Sequence, residues 1–318
     1  MARGFFVEDL LSRAQSLIAG EFQERRVAMS PNLIGAFLMV AGMAAFTLND
    51  TFVKLTGGEV PLFQLIFLRG VLSSGMILVL ARSIGPLRFR LPRRDWALIT
   101  LRGIAEIAGA YFFLSALFNM PIGNLTAILQ VLPLTVTLAS AVVLREAVGW
   151  RRVLAIAIGF GGVLLIVRPG AEGFNVWSLY ALIAVCCVTV RDLSTRVLSA
   201  AVPGITVTLT TSVLVMVAAG LASLAQPWAA VTPQVGGLIA VASFFIVGGY
   251  YCSIQAMRVG EVSFVAPFRY AGLIAAMLVG YLVFGEVPRA LTLLGAAIVV
   301  GTGLFTLYRE QRARRLAP

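Results

Sequence analysis

Two stretches decide how this chain folds: AVVLREAVGWRRVLAIAIGFGG over 141–162 and YLVFGEVPRALTLLGAAIVVGT over 281–302. Each ends an apolar run at a glutamate, turns through a few residues that include arginine, and enters a second apolar run. They lie 140 residues apart, and at that shift Glu146 falls on Glu286, Ala157 on Ala297 and Gly161 on Gly301. The register extends outward to Tyr111 on Tyr251, Ala116 on Ala256 and Gln130 on Tyr270. Near the start of each half a shift of 142 sets Asp50 with Lys54 on Asp192 with Arg196, and Asn32 and Asn175 each open a first helix. The chain reads as two copies of one unit.

Outside these stretches the same alternation continues. Apolar runs cover Leu33–Phe52, Leu62–Ala81, Trp96–Phe118, Ile122–Leu144, Val153–Val167, Val176–Val190, Ile205–Leu224, Val235–Met257, Val262–Phe284 and Leu291–Tyr308. Hydrophobic residues make up 59% and charged residues 12% of the chain, against roughly a quarter charged in an ordinary soluble domain. The mean hydropathy is +0.95, more apolar surface than the chain can bury within itself. At about 20 residues per crossing, 318 residues hold roughly ten spans and no sizeable soluble domain. Val153–Val167 is short for a core about 30 Å thick, and Arg151, Arg152 and Arg168 can snorkel to its interfaces.

The expected fold is an all-α polytopic membrane protein whose ten transmembrane helices form two inverted five-helix repeats around a central cavity. Five is odd, so the second copy enters the membrane from the opposite side, and the interface between inverted copies is a natural midplane binding site. The repeats are expected at 33–170 and 171–308, followed by a basic cytoplasmic tail at 309–318. Residues 1–32 are expected as a cytoplasmic segment. It is either flexible or a surface helix with Phe6, Leu10, Ala14, Leu17 and Phe22 on one face. Glu8, Asp9, Glu21 and Glu24 interrupt any signal-peptide pattern there.

Charge placement orients the chain. With the N-terminus inside, 19 basic residues fall in cytoplasmic connections, among them Arg82, Arg88, Arg145, Arg191, Arg196 and Arg258. Only Lys54, Arg168 and Arg289 fall opposite. That asymmetry predicts both termini in the cytoplasm and a location in a bacterial inner membrane. It also turns the net charge of +11 away from nucleic acid, because the basic residues occupy membrane connections. Histidine is absent, which removes Ser-His-Asp and Cys-His nucleophiles and His-ligated metal sites. Cys186, Cys187 and Cys252 all lie in apolar runs as packing residues. No metal, cofactor or enzyme activity is expected.

The Asn49–Lys54 run, Phe67-Leu68-Arg69, and the helix pairs turning at Leu144-Arg145-Glu146 and Phe284-Gly285-Glu286 into Gly-rich helices resemble the drug/metabolite transporter superfamily, in its ten-helix branch with two EamA domains. The resemblance covers about Leu33 to Glu310. It implies a cavity lined by helices 1 to 4 and 6 to 9, with 5 and 10 packed outside, and a substrate range from amino acids to nucleosides, S-adenosylmethionine and riboflavin.

A charge at the bilayer centre costs about 2.5–3.5 kcal/mol on insertion scales, so ionisable residues within the runs are site candidates. Arg69, Glu106 and Arg269 approach the midplane, with Arg102 one turn from Glu106, where the two could instead neutralise each other. Tyr111, Tyr251, Gln130 and Tyr270 complete the expected substrate-binding set, and Asp50 and Asp192 are network or gate candidates. The acid-to-base spacing in Asp50–Lys54 and Asp192–Arg196 suits ion pairs along each helix. Glu146 and Glu286 are expected to cap donors or pair with nearby arginine. Pro133 and Pro267 are expected to break their helices, and Ala157/Gly161 with Ala297/Gly301 to allow close helix packing.

The expected function is secondary transport of a small amphipathic, zwitterionic or anionic metabolite by alternating access. The partners are that substrate and the lipid bilayer; coupling to protons or exchange, and a homodimer, are compatible with the pattern. No GxxxxGK[ST] loop is present for ATP. A membrane-embedded transferase, or a channel or partner subunit, is the alternative.

Overall fold

The computed structural model describes residues 30–84, 87–145, 149–168, 175–199 and 201–316. Expectations for the first 29 residues and for Glu146 lie outside them. Among the described residues there are helices and connections and no strand.

Ten helices follow in chain order: α1 (Pro31–Leu55), α2 (Leu62–Ile84), α3 (Arg93–Asn119), α4 (Ile122–Leu129 continued by Leu132–Val143), α5 (Trp150–Val167), α6 (Val176–Val197), α7 (Gly204–Ser223), α8 (Pro233–Val259), α9 (Val262–Val265, a 3-10 stretch Ala266–Tyr270, then Ala271–Phe284) and α10 (Ala290–Leu316). Among the described residues nine are long and apolar enough to cross a membrane, and the apolar part of α5, Val153–Val167, is shorter. The outer face carries exposed Val79, Val142, Ile274 and Leu282, as a lipid-facing surface requires.

Local chemistry sets the helix ends. Ser30 Oγ accepts from Leu33 N–H ahead of Pro31, Asn175 Oδ1 accepts from Trp177 N–H, and Thr232 Oγ1 accepts from Val235 N–H ahead of Pro233. Ser30, not Asn32, therefore caps α1; Asn32 Oδ1 instead accepts from Glu261 N–H at 2.8 Å, tying α1 to the start of α9. The expected breaks are present. α4 is interrupted at Gln130–Val131 just before Pro133, and Pro267 sits within the 3-10 stretch of α9. A proline cannot donate to the carbonyl four residues back and crowds it, which explains a break at each.

The packing shows a two-fold exchange. α1 packs on α8 and α3 on α6, while α2 packs on α7 and α5 on α10. Swapping the first five helices for the second five turns the first pair into the second and each of the other two into itself. The close approach of α5 and α10 falls at Gly162 and Gly295, where a Cβ on Gly295 would lie 2.5 Å from the Gly162 carbonyl oxygen. A Cβ on Gly161 or Gly301 would meet nothing, so the repeated small residues are not the contact.

Candidate functional site

Between the two halves lies a cavity of about 860 Å³, lined by α1, α2, α3, α4, α6, α8, α9 and α10. α7 adds no lining residue and α10 contributes Thr306 and Leu307, which corrects the expected set of helices. The lining runs from Asp50, Arg69 and Glu106 toward the end of the bundle where Arg196 and Arg258 sit. Five arginines (Arg69, Arg191, Arg196, Arg258, Arg269) and three carboxylates (Asp50, Glu106, Asp192) face it.

Of the sequence candidates, the structure brings Asp50, Arg69, Glu106, Gln130, Asp192, Arg269 and Tyr270 together on this wall. Gln130 and Tyr270 stand at the two helix breaks. Tyr111 is elsewhere: its ring stacks on Phe63 at 5.8 Å and joins Phe112 and Tyr180. Tyr251 is exposed, and its hydroxyl accepts from Gln255. Arg102 is not paired with Glu106. Its Nη1 donates to Thr195 at 2.8 Å and its Nε to Thr211 at 3.3 Å, tying α3 to α6 and α7.

Glu106 pairs instead with Arg191, whose Nη1 lies 3.4 Å from both carboxylate oxygens. The other edge of the same guanidinium holds Asp192, with Nη2 at 2.8 Å and Nε at 2.9 Å from Oδ1. Arg191 counted as a loop residue in the sequence because the apolar run stops at Val190, yet α6 continues to Val197 and carries it inside. Tyr250, next to the expected Tyr251, joins Tyr270 on the cavity wall, edge-on to Phe46 at 5.1 Å.

The opposite end of the bundle is closed. Lys54 Nζ lies 2.6 Å from Glu286 Oε1 and donates to the Met120 carbonyl at 2.7 Å, while Ile122 N–H donates to Glu286 Oε2 at 2.8 Å. Gly285, at φ +65, ends α9 in a left-handed turn, with Glu286 N–H bonded back to the Gly280 carbonyl. That turn aims the carboxylate at the N-terminus of α4, where the helix dipole favours an anion. Lys54 thus reaches across to the other half and does not pair with Asp50 along its own helix. Stacked Phe52 and Phe245 and the pair Phe67–Trp228 fill this end. Among the described residues no cluster of His, Cys, Asp and Glu could hold a metal ion.

Residues 33–168 match the EamA-like transporter family. The first half of the chain is thus similar to this family. The S-adenosylmethionine uptake transporter of Rickettsia bellii is 26% identical over 285 residues, covering 88% of this chain and 94% of its own. The riboflavin transporter of Vibrio cholerae is 28% identical over 289 residues, covering 89% and 96%. The pseudopaline exporter of Pseudomonas aeruginosa is 24% identical over 278 residues, covering 84% and 93%. A protein crystal structure superposes with a TM-score of 0.61 at 19% identity, over 88% of this chain and 99% of that one, and so shares the fold. The resemblance to the drug/metabolite transporter superfamily is borne out by this match and these relatives, which are transporters and not enzymes.

Proposed function

We propose that this protein is a secondary transporter that carries a small zwitterionic or anionic metabolite across a bacterial inner membrane by alternating access, with both termini cytoplasmic. The observation that carries this reading is the cavity: about 860 Å³, within the roughly 300–1,000 Å³ span of small-molecule sites, lined by charged side chains from both halves and shut at the Lys54–Glu286 end. The halves 33–170 and 171–308 are the rocking units, and the two-fold exchange of helix pairs gives them equivalent inward and outward arrangements. On the orientation set by the basic residues, the cavity extends toward the cytoplasm and Lys54–Glu286 closes the outer side.

Arg69 is the anchor for an anionic group, because its planar fork suits bidentate contact and no resident carboxylate touches it. Arg269 approaches from the second half, so a bound molecule bridges both. S-adenosylmethionine and riboflavin, the substrates named for relatives, are the first to test. A thermal-stability screen of purified protein with both compounds and a panel of labelled metabolites should find one that raises Tm and that Arg69→Ala no longer responds to. A panel in which nothing raises Tm counts against the reading.

A further inference from the structure

The internal repeat supplies its own control for the charges in the cavity. At a shift of 142, Asn49 and Asp50 of α1 fall on Arg191 and Asp192 of α6, and Arg69 of α2 falls on Thr211 of α7. In the second half the acid is neutralised locally: Asp192 is held by its neighbour Arg191 at 2.8 and 2.9 Å, and the same guanidinium reaches Glu106. In the first half the neighbour is an amide. Asn49 Nδ2 donates to Asp50 Oδ1 at 2.8 Å, which uses one of about four acceptor sites on that carboxylate and brings no charge.

Asp50 makes no ion pair within 4.0 Å among the described residues, and Arg69 makes neither an ion pair nor a hydrogen bond, although each lies in the other's field. Beside Asp50, the Asn49 side-chain oxygen is buried and has no partner, and Asn49 lines the cavity. Asn49 is only 2% exposed, so its amide is fixed in the wall beside Asp50. The Asp50 carboxylate of α1 and the Arg69 guanidinium of α2 therefore line the same space, each without an ion pair among the described residues.

We propose that Asp50 and Arg69 form a charge-split subsite for a zwitterionic group, with Asp50, held in place by the Asn49 amide, receiving its cationic N–H donors and Arg69 its carboxylate. This rests on the transport reading and narrows its substrate class to molecules that carry both charges on one small unit. It assigns Asp50 to specificity, whereas Glu106, Arg191 and Asp192 satisfy one another and form the rigid opposite wall.

The test uses full-length protein in detergent and the proteinogenic L-α-amino acids as probes, each compared with its N-acetyl form, which lacks the cation, and its α-amide, which lacks the anion. At least one zwitterion should raise Tm and bind about tenfold or more tightly than either derivative, as loss of a charged hydrogen bond implies. Asp50→Asn should remove the advantage over the N-acetyl form and leave affinity for that form unchanged; Asp50→Glu should restore part of it, and Asn49→Ala should weaken the zwitterion alone. Ligand-free Tm of each variant reports folding separately. No zwitterion that binds better than its N-acetyl form, or an Asp50→Asn loss shared equally by both, overturns the subsite. Flux of anions alone, untouched by Asp50→Asn, would leave transport standing and the subsite wrong. The predicted binding pattern without flux in proteoliposomes would do the reverse.

Discussion

Glu286→Gln tests whether the contact at the closed end holds one state of a two-state machine. The substitution leaves one oxygen for either Ile122 N–H or Lys54 and sets an amide donor against the other, and it removes one charge from a contact of 2.6 Å between side chains 13% and 18% exposed. Hydrogen bonds to charged groups contribute about 1.5–3 kcal/mol, and partial exposure screens this pair, so about 2 kcal/mol of preference for the closed end is at stake. That corresponds to about a 30-fold shift between closed and open states. A single cysteine at Asn124, which lines the small cleft beside Glu286, in a background with Cys186, Cys187 and Cys252 replaced by alanine, reports opening by its rate of maleimide labelling. The rate should rise by up to about 30-fold in Glu286→Gln and similarly in Lys54→Met. The swap of Lys54→Glu with Glu286→Lys should rescue only partly, because it sets a cation at the N-terminus of α4. Labelling that does not change while transport continues would refute the idea that this contact governs opening.

Arg69→Lys should keep the charge but weaken binding about tenfold, and Arg69→Ala should abolish transport with Tm unchanged, since Arg69 makes no hydrogen bond among the described residues; a fall in Tm with selectivity intact would mark a structural role. Glu106→Gln leaves Arg191 with Asp192 as its remaining acid and loosens the tie between α3 and α6, so Tm should fall; an unchanged Tm would show that this ion pair does not hold the wall. Gly295→Ala places a methyl 2.5 Å from the Gly162 carbonyl oxygen and should cost about 1–3 kcal/mol, seen as a lower Tm, while Gly301→Ala meets nothing and should leave Tm unchanged.

The helices were legible because hydropathy and turn chemistry are local: ten apolar runs became ten helices, and Pro133 and Pro267 broke α4 and α9 for the reason any internal proline does. Partners were less legible because they depend on rotation and on the other half of the chain. Lys54 has an acid four residues away, yet it finds Glu286, 232 residues on. Tyr250 and Tyr251 differ by about 100° around one helix, and only the inner one meets Phe46. Arg191 could have been found by letting α6 run one further turn past the first charge, since three charges close together at a helix end can point inward as well as out. The repeat register marks equivalent positions, not touching ones, so Gly161 and Gly301 match in sequence while Gly162 and Gly295 make the contact.

On the proposed function, this single chain moves a small molecule through the cavity between its halves. Proteoliposomes containing only the purified protein, preloaded with unlabelled substrate from the Tm screen, test it most directly by counterflow of the labelled compound. The label should accumulate saturably, faster with substrate inside, and this accumulation should be lost in Arg69→Ala. Uptake that rises linearly with concentration, or no uptake by a protein that binds the compound, would contradict it.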